Sequence, residues 1–327
     1  MREILKTAVS GRAPWYMIAS GAILAAILVL NPPEGLQTKV AKPKAVAAVR
    51  ITPPALQKAP VDVAAPTVDR LIARFDSIGY DLSAIRAGDS MVPRVLPDAI
   101  PQDMAEIQQV DRKKATFVRM VLPMVLVINE SIRTDRARAL SMKDRVDSGA
   151  SLSDREQAWL TDRFKEYKTE FGDFRTLLRR MDVVPPSLAL AQAAIESGWG
   201  TSRFARKGNA LFGQWTTEQF DGIVPKDREE GKTHKIRAFH APIDSVASYL
   251  RNLNTHRAYL GLRLAREDLR TQKKPLDSMV LAGTLDSYSE KGHEYVGLVQ
   301  SIIRVNKLTH FDRARLAEAR PRLRPRA

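Results

Sequence analysis

A chain of 327 residues with 44% hydrophobic side chains is too apolar for wholesale disorder and long enough for a sizeable core with attachments. It has no cysteine, which excludes a disulfide scaffold and a thiolate metal site and fits either side of a membrane. Fifty-two Lys and Arg against 37 Asp and Glu give a formal charge of +15, a bias toward polyanions that names no particular one.

Residues 1–13 form a basic terminus with Arg2, Lys6 and Arg12, and Pro14 to Leu30 then run seventeen residues without a charge. That is the short end of the range for a membrane-spanning helix, and Trp15 and Tyr16 suit its interface. The preceding positive charge predicts a cytoplasmic N-terminus with the rest of the chain outside. A cleaved signal peptide is the rival, but Asn31-Pro32-Pro33-Glu34 offers no cleavage site and Ala45-Val46-Ala47 lies too far along. Residues 31–68 hold seven prolines and no aromatic side chain, the composition of an extended linker with a reach on the order of 100 Å.

Residues 69–110 read as an irregular arm packed on the main domain, residues 111–310. In the main domain, Phe117, Val121, Leu122, Val125 and Ile128 recur at helical steps and predict a buried helix kinked at Pro123. Ser153 and Glu156 form a capping box for a helix whose inward stripe would be Trp159, Phe164, Tyr167 and Phe171. Pro185-Pro186-Ser187 opens the next helix, which is rich in alanine and ends at Gly198. Glycines then punctuate residues 208–240, with short apolar stretches that predict a small hairpin region. Helical periods resume from Pro242 through Val305. Residues 311–327, with six arginines against two acids, read as a solvated basic tail able to touch an anionic surface. The class predicted is mainly α with one small β lobe.

Glu196 lies in the last turn of the Ala-rich helix, where the helix dipole disfavours a negative charge and apolar neighbours remove water. Both effects raise a carboxyl pKa, as a general acid needs. Position alone equally fits a surface Glu before a glycine stop. Gln192 lies one turn earlier on the same face and could orient the carboxyl. His234 and His240 lack the partners of a zinc site, so no metal or other cofactor is expected. No phosphate loop or nucleic-acid motif turns the charge into a nucleic-acid signal.

The stretch LALAQAAIESGWGTSRFARKGNALFGQW, Leu188 to Trp215, resembles the signature of bacterial peptidoglycan endo-β-N-acetylglucosaminidase domains, and within them the Bax family. Tyr249 to Arg263, Tyr288 to Asn306, the arm from Gly79 to Pro101 and the helix from Lys113 to Asn129 are similar to the same family. The resemblance implies a lysozyme-like α+β fold with a groove between a helical and a hairpin lobe. It implies that Glu196 is catalytic and Tyr288 a groove tyrosine, with Glu229 or Glu230 as second carboxylate. Lys235 stands where relatives carry an acid, so the substrate's own N-acetyl group is an alternative partner. Trp199, Gln192, Asn209, Phe212 and Trp215 are the implied substrate-binding residues, with Trp199 alternatively in the core and Asn209 alternatively bound to loop backbone. The implied partner is the peptidoglycan glycan strand, reached from a single-pass anchor in the inner membrane with the domain in the periplasm. A lytic transglycosylase and a non-catalytic wall-binding domain are the alternatives.

Overall fold

The computed structural model describes residues 67–216, 222–224, 235–289 and 292–318. The apolar segment 14–30, the linker as far as residue 66 and the basic residues 319–327 lie outside them.

Thr67 caps α1 (Val68–Ser77), its hydroxyl accepting from the Arg70 N–H, and Val68 is buried. The folded part therefore starts two residues inside the span read as linker. Asp81 caps α2 (Leu82–Ala87) in the same way, and Gly88 stops it in the left-handed conformation. The arm is less irregular than its prolines suggest, and Phe75, Tyr80, Val92 and Met104 join the main core.

The helix α3 (Val110–Asp147) continues through Pro123 and runs well past Ile128, the last of the apolar positions that predicted it. Among the described residues it is the one helix long and apolar enough to cross a membrane. Met120 to Val125 are all wholly buried, as befits a core helix. The capping box of α4 (Asp154–Glu166) forms as predicted, the Ser153 N–H donating to Glu156. Its inward stripe holds for Phe164 and Tyr167, but Phe171 is 66% exposed. It lies beyond the helix end, where helical spacing no longer fixes which way a side chain faces.

After α5 (Phe174–Arg180) comes α6 (Pro186–Ser197), whose Ala189, Ala191, Ala193 and Ala194 are at most 1% exposed. A helix buried all round needs small side chains to let its neighbours approach. Then follow α7 (Arg203–Gly208) and a three-stranded antiparallel sheet of β1 (Trp215–Thr216), β2 (Gly222–Ile223) and β3 (Lys235–Arg237), with β3 in the middle. Ile236 faces Trp215 on one side and Ile223 on the other. Gly222 is required at its position, because a β-carbon there would lie 2.7 Å from that of Lys235. The chain closes with α8 (Pro242–Thr255), α9 (Leu260–Thr271), α10 (Ser278–Ala282), α11 (His293–Val305) and a 3-10 segment, Leu308–Arg313. The predicted class, mainly helical with a small β lobe, is the observed one.

The basic tail needs correction over residues 311–318. Phe311 is wholly buried, and Val92 pairs in parallel with Leu316, donating to Arg315 O at 2.7 Å and accepting from Ala317 N at 2.9 Å. Two apolar anchors outweigh the solubility of the arginines between them.

Candidate active site

The start of α6 is buried, and its residue before the first turn, Pro185, has no side chain to cap it. Asp312 supplies the cap from a distance, accepting from Ser187 N at 2.8 Å and Ser187 Oγ at 2.7 Å. The far end is closed by three successive left-handed residues, Gly198, Trp199 and Gly200, with φ of 58°, 58° and 81°. For tryptophan this conformation is unfavourable, and it persists because the surroundings hold it. Trp199 sets its ring edge-on against Phe117 at 5.6 Å, and the Lys114 ammonium lies 5.2 Å from the indole centre. Gly200 N donates to Ser197 Oγ at 2.9 Å.

Glu196, in the last turn, is partly exposed. Tyr295, from the first turn of α11, donates its hydroxyl to Glu196 Oε1 at 3.0 Å. The direction of that bond is fixed from behind. Tyr249 donates to Gln192 Oε1 at 2.5 Å, which leaves the Gln192 amide to donate to the Tyr295 oxygen at 3.0 Å. The single O–H of Tyr295 is then directed at the carboxyl. Burial pushes the Glu196 pKa up to about 8, against the opposing pull of the Tyr295 hydrogen bond. Among the described residues, no second carboxylate contributes to this shift.

Tyr288 stacks on Tyr295, ring centres 5.1 Å apart and nearly parallel, and Tyr259 lies 5.7 Å from Tyr288. The Tyr288 hydroxyl is buried with no hydrogen-bond partner among the described residues. Such a group costs stability unless something meets it. Tyr288 therefore belongs to the tyrosine cluster near Glu196, buried and not lining a groove, and the direct contact belongs to Tyr295.

The other named residues divide. Gln192 and Phe212 are wholly buried. Gln192 supports Tyr295, and Phe212 stacks on Tyr249 at 3.8 Å, so both back the site rather than line its surface. Asn209 spends its side chain on backbone, accepting from Ile100 N and donating to Phe239 O and His240 O, which decides between its two readings in favour of the loop. Trp215 lies on β1, its side chain outside the described residues, as are Glu229 and Glu230 entirely. Lys235 pairs with Thr216 on β3. Sequence reasoning did not single out Tyr249 and Tyr295, which the structure links to Glu196 through hydrogen bonds; the signal available was the recurrence of tyrosine at 288 and 295, flanking the start of α11.

Replacing Tyr295 with Phe removes the one bond shown to favour ionised Glu196. A carboxyl-carbon NMR titration is expected to move the Glu196 pKa about one unit further up, the worth of a hydrogen bond to a charged group. An unchanged value would mean that the hydroxyl does not hold the carboxylate.

The site is a carboxyl at a helix end, its pKa raised by burial and its position ordered by tyrosines, an arrangement compatible with an acid-catalysed hydrolase. The glucosaminidase family, described as mannosyl-glycoprotein endo-beta-N-acetylglucosaminidase, matches residues 172–308, which include Glu196 and all four tyrosines. The chain is also 35% identical over 190 residues to "Protein bax" of Escherichia coli (strain K12), across 56% of this chain and 66% of that relative, just under two thirds. It belongs to the Bax family within the glucosaminidase superfamily. No solved structure matches it.

Proposed function

We propose that the chain is a peptidoglycan hydrolase that cleaves β-1,4 N-acetylglucosaminyl bonds of glycan strands, with Glu196 as general acid. The observation that carries this reading is the Glu196 carboxyl in the last turn of the buried helix α6, with Tyr295 fixing one of its oxygens and burial pushing its pKa up to about 8. With Oε1 accepting from Tyr295, the proton resides on Oε2, from which it passes to the glycosidic oxygen as the bond to the anomeric carbon breaks. Positive charge develops on the sugar, and water completes the hydrolysis. Tyr288, buried with its hydroxyl unsatisfied, would reach the substrate only on a movement of the tyrosine cluster. The second group is Glu229 or Glu230, between β2 and β3, or the substrate's own acetamido oxygen.

A lytic transglycosylase is the second reading, since that chemistry runs on one acid and Glu196 could supply it. The fold supports a lysozyme-like arrangement, with the acid at a helix end that runs through α7 into a small sheet. Residues 14–30 would anchor the protein in the inner membrane, and the linker after them would carry the periplasmic domain outward to the wall.

The full chain incubated with purified peptidoglycan distinguishes the readings by the new chain ends, identified by mass spectrometry after borohydride reduction. Reducing N-acetylglucosamine ends are expected. Anhydro-muramic ends would replace the hydrolase with the transglycosylase, and the absence of new ends would leave a binding domain.

A further inference from the structure

The turn that ends α6 also presents Trp199 to a groove of about 390 Å³, bordered by Lys114 and Val118 of α3, Leu82 of α2, and Lys307 and Leu308 after α11. Its floor is apolar and its rim is basic. Lys114 and Lys307 have no carboxylate partner among the described residues, and Asp111 is the one acid that lines the groove. Arg86 forms a wall, but its guanidinium is engaged by Asn306 O and Lys307 O and by the Phe311 ring. Two lysine ammonium groups are therefore left without a carboxylate: Lys307, and Lys114, which lies over the Trp199 ring.

We propose that this groove is a subsite for a short peptide bearing free carboxylates, of the kind that branches from the wall glycan. The idea rests on the glycan-strand reading above. Three observations argue for it. The charge is complementary, since two available ammonium groups border a surface that suits small apolar side chains. Trp199 is held in a conformation tryptophan rarely adopts, three residues after Glu196, so the end of the catalytic helix and the groove are built as one piece. The spacing also fits. Tyr295 touches Glu196 and Val305 borders the groove, ten residues further along α11, which at 1.5 Å per residue is about 15 Å. An extended peptide of roughly four or five residues covers that distance. A sugar bound at Glu196 could thus extend its peptide branch to Lys114 and Lys307, and the protein would prefer strands that still carry their peptides.

The test is calorimetric titration of the detergent-solubilised full chain with three probes: a wall disaccharide carrying a tetrapeptide, the same molecule with its carboxyls amidated, and peptide-free chitotetraose. The Lys114→Gln/Lys307→Gln double variant is expected to bind the first probe about tenfold more weakly, the scale of two partly exposed ion pairs. Binding of chitotetraose should not change. Amidation should weaken binding to the wild type similarly, a result that does not depend on how the variant folds. Equal affinity of both proteins for the acidic probe, or indifference to amidation, would overturn the proposal. So would stronger competition by inorganic phosphate than by the peptide, which would mark a phosphate site instead. Binding needs no turnover, so lysine-dependent peptide binding without new chain ends would leave the subsite standing while the hydrolase reading falls.

Discussion

Glu196→Gln is expected to lower peptidoglycan cleavage by about three orders of magnitude, within the range for loss of a positioned general acid. Gln keeps the shape and can still accept from Tyr295, so the loss would isolate the proton. The pH profile of the wild type gives an independent reading. With a pKa near 8, Glu196 holds its proton through neutrality, and activity should decline as pH rises through about 8 rather than near 4.5. Stability should follow the same group. Between the ordinary carboxyl value and about 8, the folded protein retains a proton that the unfolded chain releases, so stability falls as pH rises across that window. The Gln variant lacks this slope. Its melting temperature relative to wild type should therefore improve from pH 5 and level off once the pH passes about 8. An alkaline limb below pH 6, or parallel melting curves, would show that Glu196 is an ordinary acid.

Arg266→Ala is expected to destabilise the domain by roughly 3–5 kcal/mol, with a fall in melting temperature on the order of 10 °C. Arg266 is 1% exposed, and its guanidinium donates to Asp182 O, Val183 O and Arg179 O and to Asn254 Oδ1, at 2.8 to 3.1 Å. The three carbonyls lie at the end of α5 and in the turn before α6, where they have no helix or strand partner, and Asn254 reaches them from α8. Removing the fork takes the donor from Val183 O, Arg179 O and Asn254 Oδ1, while Asp182 O keeps the Asn254 amide at 2.9 Å and the Asp182 carboxylate keeps Arg270 at 2.8 and 3.1 Å. Arg266→Lys should recover little, because a single ammonium cannot reproduce a planar fork serving four acceptors. Thermal unfolding followed by circular dichroism checks both variants, and a loss below 1 kcal/mol in either would contradict the argument.

The helix carrying Glu196 could be placed from sequence because its boundaries are local signals: a proline in the first turn and a glycine just past the end. The family motif then singled out the glutamate. Tyr295 was harder, since its contact with Glu196 spans 99 residues and depends on how α11 packs against α6, which no local pattern encodes. Asn209 could be recognised as important but not as to why, because a side-chain amide binds a sugar acetamide or a peptide equally well. Residues 311–318 were misread for a related reason. Their composition is that of a solvated segment, and only the rest of the fold supplies the cavity for Phe311 and the strand partner for Leu316.

The cap that Asp312 provides to α6 also bears on biosynthesis. The helix that carries the acid has its buried N-terminus satisfied by a residue 125 positions later. A chain emerging from a ribosome or a translocation channel can form the earlier helices of the domain, but it cannot complete this one until almost all of the domain has followed. The Glu196 site can therefore be completed only after almost all of the domain has been made.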